Sequence, residues 1–185
     1  MGWKTVWGLL FLILVLLLLT LYWFIPLSTT QFILQSNPSN LNIGSLASKQ
    51  FYENMRFPDK RISYNIGNCP LQKRDDMIRA FEILENKTVL DFYEVSSNEE
   101  ITLICDSTIK VEGGLFIAGE GGPVNITKSG DFNVINYGKI FLFKESLCPI
   151  PNIAIHELLH VLGFDHSENP NNIMYPVSNC DQEIN

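Results

Sequence analysis

The chain has 185 residues, with 20 acidic against 13 basic side chains and a formal net charge of −7 at pH 7. This length allows one domain and one additional segment. The acidic balance argues against nucleic acid as the main partner, because binding phosphates requires a basic face.

The charged residues are unevenly placed, and residues 5–48 contain no Asp, Glu, Lys or Arg. Within this stretch Val6–Ile25 is a run of 20 mostly apolar residues, which as a helix would span the roughly 30 Å hydrocarbon core of a bilayer. We therefore predict a transmembrane anchor over residues 1–26. Lys4 is the only basic side chain near it, which places the N-terminus in the cytoplasm and the rest of the chain outside.

The alternative interpretation of this run is a signal peptide that is cleaved to release a secreted protein. The apolar region of a signal peptide usually has about 7–15 residues and ends in a site of small residues. The run here is longer, and no such site follows it. These features favour a retained anchor.

Residues 27–50 are uncharged apart from Lys49 and rich in Ser, Thr, Asn and Gln, and we interpret them as a polar linker. A globular domain is predicted over 51–185. Alternation of polar and apolar residues predicts a first strand at Arg61–Ile66, and helical spacing predicts a helix over 71–86. Short strand-like runs follow, with glycine pairs between some of them: Val89–Val95, Ile101–Cys105, Gly114–Ala118, Asn133–Asn136 and Lys139–Phe143.

A second helix is predicted from about Asn152 to Leu162, with Asn152 as its N-cap and Gly163 just beyond its C-terminus. The order of strand, helix, several strands and helix indicates an α/β or α+β domain with a mixed sheet.

The four cysteines fit an oxidising compartment, where an even number in a small domain suggests disulfides. Of the three connectivities, we favour Cys69 with Cys105 and Cys148 with Cys180, since these pairs flank the first helix and the last helical segment. Thiolate ligands are disfavoured because the spacing lacks a CxxC pair. A catalytic cysteine would need a histidine base, and all three histidines lie in the motif described next.

The eleven residues from His156 to His166 read HELLHVLGFDH. On a helix His156 and His160 lie on one face and can bind one zinc ion from the same side, and Glu157 can reach a water molecule there as general base. Gly163 can adopt a left-handed conformation that ends the helix, so that the chain turns and His166 supplies a third nitrogen. Three protein ligands are typical of a catalytic rather than a structural zinc site.

Eight residues later comes Met174, in NIMYP. HELLHVLGFDH together with NIMYP resembles the metzincin zinc peptidases, and MYP resembles their matrixin branch. The resemblance implies a zincin-like catalytic domain, with a mixed, mainly parallel twisted sheet and an active-site helix. It also implies that Met174 lies in a turn beneath the zinc, and that an edge strand near Gly114–Gly119 pairs with an extended substrate.

Three departures from the matrixin pattern are visible. No histidine remains for a second, structural zinc, and nothing in the sequence supports a calcium site. The segment before the domain has no cysteine that could ligate the zinc and keep the enzyme latent. Ser178 stands where many matrixins have a tyrosine in the wall of the specificity pocket.

The sequence thus predicts a membrane-anchored extracytoplasmic metalloendopeptidase with one catalytic Zn²⁺, acting on peptide or protein substrates. Two alternatives stay open: a secreted peptidase released by signal cleavage, and a non-catalytic zinc-containing surface module that only binds partners. The intact Glu157 argues against the second, because a binding module has no need of that acid.

Overall fold

The computed structural model of the chain describes residues 2–24, 32–36 and 50–184. It divides into two compact units, residues 1–30 and 31–185. The first contains one helix, α1. The second contains two helices and nine strands among its described residues. The bounds in chain order are α1 Trp3–Phe24, β1 Phe32–Ser36, β2 Met55–Arg56, β3 Arg61–Ile66, α2 Leu71–Lys87, β4 Asp91–Glu94, β5 Ile101–Cys105, β6 Val111–Glu112, β7 Leu115–Ser129, β8 Phe132–Leu142, α3 Asn152–Val161 and β9 Val177–Ser178.

Helix α1 falls on the apolar run, and its side chains are exposed wherever they are described. No helix within the described residues is both long enough and apolar enough to qualify as a membrane span. The transmembrane anchor therefore stays a prediction.

The second unit is a mixed, mainly parallel sheet, as the sequence indicated. Its strands follow the order β4-β3-β5-β8-β7-β1-β9, with β2 beside β8 and β6 beside β7. The pairs β3–β4, β3–β5, β5–β8, β2–β8 and β1–β7 are parallel, whereas β7 runs antiparallel to β8 and β6, and β1 antiparallel to β9. Helix α3 packs on β7, β8 and α2, which places it at the centre of the apolar core.

Several boundaries differ from the sequence prediction: β4 is shorter than the run Val89–Val95, β8 joins the runs Asn133–Asn136 and Lys139–Phe143, and β1 lies within the residues interpreted as a linker. Two further differences bear on the site. The strand predicted at Gly114–Ala118 runs on to Ser129, straight through Gly121 and Gly122. A glycine pair between two strand-like runs by itself favours a turn. Gly121 instead lies where a side chain would collide with the backbone of Glu157 in α3, so this glycine lets helix and strand approach closely.

The second difference is at the start of α3, where Pro151 and not Asn152 occupies the N-cap position. Asn152 is the first helical residue, fully buried, and its side-chain Nδ2 donates a hydrogen bond to the carbonyl oxygen of Asn179 at 2.6 Å. Its amide thus holds the chain beyond β9 against the helix instead of capping the helix.

Two disulfides brace the domain with the pairing that we favoured, Cys69–Cys105 and Cys148–Cys180. The first joins the start of α2 to the end of β5. The second joins the segment before α3 to the tail after β9. Such cross-links stabilise a domain mainly by restricting its unfolded chain.

A buried lysine connects helix α2 to the ends of β5 and β8, next to the first disulfide. Lys73 is only 6% exposed, and its Nζ donates to the carbonyl oxygens of Asp106, Leu142 and Phe143 at 2.7, 3.1 and 2.9 Å. Burial lowers the pKa of Lys73 from its usual value. Three carbonyl acceptors satisfy the three donors of the ammonium group, which makes its burial tolerable.

We expect Lys73→Met to lower the free energy of unfolding by about 1–3 kcal/mol, because it removes the donor that these buried carbonyls share. Lys87→Met, at the exposed end of the same helix, should change it by less than about 0.5 kcal/mol. Urea unfolding of both variants measures the difference. Equal effects would show that the contacts of the Lys73 ammonium contribute nothing specific.

Candidate metal and catalytic centre

The three histidines converge at one point. Three ring nitrogens, one from each histidine, lie within 4.8 Å of one another: those of His156, His160 and His166. Among the described residues, this is the group that could hold a metal ion. Helix α3 supplies the first two from one face. Gly163 follows the helix with φ of +97°, which turns the chain so that His166 comes back toward the helix. Local sequence alone therefore builds this cluster.

Backbone carbonyls orient two of the rings. Nδ1 of His156 lies 2.7 Å from the carbonyl oxygen of Ile173, and Nδ1 of His160 lies 2.7 Å from that of Phe164. A carbonyl oxygen can only accept, so each Nδ1 carries the proton and each Nε2 keeps its lone pair for a metal. The ring of Phe51 also stacks on His160, with centroids 5.5 Å apart.

Burial keeps the helix imidazoles neutral. It lowers the pKa of His156 well below the usual value, and it lowers that of His160 to about 3, with the neighbouring histidines adding to the effect. Metal ligation requires the neutral ring, so the site is already in the ligating form near pH 7.

The turn that contains Met174 contacts the histidine cluster through the carbonyl oxygen of Ile173. Met174 is buried, its N–H donates to Oδ1 of Asn172 at 2.8 Å, and its carbonyl accepts from the N–H of Ser167 at 2.9 Å. The preceding residue, Ile173, is the one that orients His156. The turn thereby ties the loop after the third histidine to the ring of the first.

The residues fit a zinc ion. The Nε2 atom of His156 is buried without a hydrogen-bond partner among the described residues, as are both carboxylate oxygens of Glu157. Nε2 of His160 and Nε2 of His166 lie 3.2 Å apart, close to the separation of two nitrogens about 2.0–2.1 Å from one tetrahedral zinc. Burying a polar atom without a hydrogen-bond partner costs free energy. A cation bound by the three histidines would give their unprotonated ring nitrogens a partner.

Glu157 is fully buried, and burial raises its pKa well above the usual value, with a smaller contribution from the charge of Glu120. Its carboxylate lies against Gly119 of β7, where a Cβ atom would come within 2.7 Å of Glu157 Oε1. Glu120 itself pairs with Lys110 at 2.8 Å. The acid is thus enclosed by strand β7.

Sequence reasoning missed the parts of the site that lie far away in the chain. Gly121 is brought to the motif by the packing of α3 on the sheet, and Phe51 by the hydrogen bond of its N–H to the carbonyl oxygen of Gly163. Their sequence surroundings carry no signal of that packing, apart from the unexplained glycines of β7. Gly119 ends the stretch that the matrixin resemblance placed beside a substrate.

We predict that Gly119→Ala will lower kcat for peptide cleavage by roughly 10–100-fold, because the new methyl group displaces the carboxylate of Glu157. The melting temperature should change little, since the colliding atoms belong to the end of a flexible side chain. Gly122→Ala, three residues along the same strand, meets no atom within 4 Å and should keep wild-type activity. Steady-state kinetics of the two variants tests this, and equal kcat values would contradict it.

A buried helix carries two histidines four residues apart and an adjacent acid, and a third histidine and a buried methionine follow it. This arrangement is of the metzincin type. Residues 56–185, well over half of the chain, match the family described as Matrixin. The chain therefore belongs to the matrixins, a family of zinc metalloproteases. Comparison with curated proteins gave no match.

Proposed function

We propose that this chain is an active zinc metalloendopeptidase that hydrolyses internal bonds of peptide or protein substrates. His156, His160 and His166 would hold one zinc ion, and Glu157 would be the general base. One observation carries the proposal: three imidazoles converge, and the residue that follows the first of them in helix α3 is a buried glutamate with both oxygens unpaired among the described residues.

The roles of the residues follow from their positions. Zinc, when bound, supplies Lewis-acid chemistry that polarises the substrate carbonyl and makes water a better nucleophile. Glu157 takes a proton from the attacking water and delivers it to the nitrogen of the leaving amine. Its closed environment favours this role, because burial raises the pKa of the carboxyl and so makes the carboxylate a stronger base.

The test is digestion of a diverse peptide library by the purified full-length chain. We expect internal cleavage that a chelator abolishes and that added zinc restores. A chain that holds zinc and cleaves no peptide would instead favour the binding-module alternative.

We also propose that the catalytic domain lies outside the cytoplasm, with residues 1–26 as anchor. The two disulfides support an oxidising compartment. The uncharged N-terminal run supports membrane targeting. Protease added to intact cells should reach the domain, and the intact mass of the mature protein separates an anchored chain from a secreted one. A domain recovered in the cytosol with reduced cysteines would contradict this placement.

A further inference from the structure

Residues 179–183, the post-β9 segment, return to the candidate metal centre. The backbone N–H of Ile173 donates to the carbonyl oxygen of Glu183 at 2.8 Å, and Asn172 and Glu183 form a parallel β-bridge. The carbonyl oxygen of the same Ile173 lies 2.7 Å from Nδ1 of His156 and accepts its proton. The post-β9 segment therefore holds the residue that orients the first of the three imidazoles.

Gln182 fixes this segment from inside the domain. It is only 2% exposed, and both polar atoms of its side-chain amide are paired. Nε2 donates to the carbonyl oxygens of Val177 at 2.8 Å and Pro170 at 3.3 Å, and Oε1 accepts from the N–H of Asn179 at 3.0 Å. One buried amide thus joins the post-β9 segment to the chain on both sides of the Met174 turn.

Two further links attach the segment to the start of helix α3. The Cys148–Cys180 disulfide joins it to the residues before the helix. Nδ2 of Asn152, the first helical residue, donates to the carbonyl oxygen of Asn179 at 2.6 Å. The segment is therefore attached both to the helix that carries His156 and to the turn that orients its ring.

We propose that Gln182 and the Cys148–Cys180 disulfide are positioning residues of the metal centre, because they hold the post-β9 segment so that Ile173 keeps His156 in its ligating orientation. This inference rests on the proposed function, since it concerns the zinc ion proposed there. Groups that orient a metal-binding imidazole typically contribute about 10–100-fold to metal affinity. Disturbing the segment should therefore weaken zinc binding although no ligand is removed.

The two disulfides of the domain provide a matched comparison. Cys148–Cys180 and Cys69–Cys105 span similar lengths of chain, with sequence separations of 32 and 36. Their removal should therefore release nearly the same conformational entropy in the unfolded chain. Only Cys148–Cys180 holds the segment that bonds to Ile173, whereas Cys69–Cys105 joins α2 to β5. A difference in zinc affinity between the two variants would report position and not general stability.

The test compares four variants of the purified full-length chain with wild type. Two disturb the post-β9 segment and each has its own control: Gln182→Met with Gln72→Met, at an exposed position of α2, and Cys148→Ser/Cys180→Ser with Cys69→Ser/Cys105→Ser. Methionine has nearly the shape of glutamine but donates no hydrogen bond.

Zinc affinity is measured by competition with a chromophoric chelator, at a temperature at which circular dichroism shows all five proteins folded. We expect the zinc dissociation constant to rise by about tenfold or more in the two variants of the segment and to stay within about twofold of wild type in the controls.

A second readout follows the orienting hydrogen bond itself in zinc-free protein. The Nδ1 proton of His156 is buried and bonded to Ile173, so its NMR signal should exchange slowly with solvent in wild type and in both controls. In Gln182→Met and in Cys148→Ser/Cys180→Ser the same proton should exchange faster. Loss of stability elsewhere in the domain would not single out this proton.

Unchanged zinc affinity in Gln182→Met, or equal weakening in the two disulfide variants, would overturn the proposal. If a disulfide variant does not fold, the comparison of Gln182→Met with Gln72→Met decides alone. If the affinities differ as expected but wild type cleaves no peptide, the positioning role stands and the proposed peptidase function fails. If wild type binds no zinc, the proposed function fails, and the proton exchange in the zinc-free proteins still decides the positioning role.

Discussion

Replacing Glu157 with glutamine is expected to lower kcat/KM for peptide cleavage by about 10²–10⁴-fold, the usual contribution of a general base. Glutamine has nearly the same size and also fits beside Gly119, but it cannot accept a proton at neutral pH. Because Glu157 is not among the three converging histidines, the fold and the zinc content should persist. The expected product is a folded, zinc-loaded and nearly inactive protein.

The matched control is Glu82→Gln, at an exposed position of helix α2, which removes the same charge without touching the site. It should retain wild-type kinetics. Stopped assays with one peptide substrate, together with zinc content and circular dichroism, separate loss of chemistry from loss of structure. Cleavage by Glu157→Gln at the wild-type rate would mean that another group is the base.

Replacing His160 with alanine should abolish both stoichiometric zinc binding and activity. Loss of a group that merely orients a ligand typically costs about 10–100-fold in metal affinity, so loss of the ligand itself should cost more. The ring also stacks on Phe51, and its Nδ1 donates a hydrogen bond to the carbonyl oxygen of Phe164. We therefore expect some loss of folding stability as well.

Leu159→Met is the control for that experiment, since it conserves volume on the same helix and leaves all three imidazoles in place. Metal content after dialysis against a weak chelator is the measurement. We expect about one zinc per chain in the control and far less in His160→Ala. Equal zinc content in both proteins would place the metal elsewhere.

The sequence predicted the features that neighbouring residues form, and it missed the features that residues distant in the chain form together. The eleven residues from His156 to His166 specify their own geometry, because helical periodicity and one left-handed glycine suffice to gather the imidazoles. The strand Arg61–Ile66 and the helix after it were equally clear from periodicity. Features decided by distant packing were not: a glycine pair signals a turn locally, yet Gly121 lies within a strand because α3 presses on it.

The linker illustrates the same limit. Residues 27–50 look like a spacer from composition, and nothing in FILQS distinguishes a solvated segment from a paired strand. Its pairing depends on β7 and β9, which only the tertiary structure brings to either side of it. Local sequence therefore predicted the zinc-binding motif, whereas the strand pairing of residues 32–36 depended on tertiary structure.

Zinc-edge X-ray absorption of the purified wild-type protein tests whether three histidines hold one zinc in this chain. We expect about one zinc per chain, with nitrogen and oxygen neighbours, the outer-shell scattering of imidazole rings and no sulfur, because the four cysteines are paired in disulfides. A sulfur neighbour at about 2.3 Å, or a zinc content far below one per chain, would contradict it.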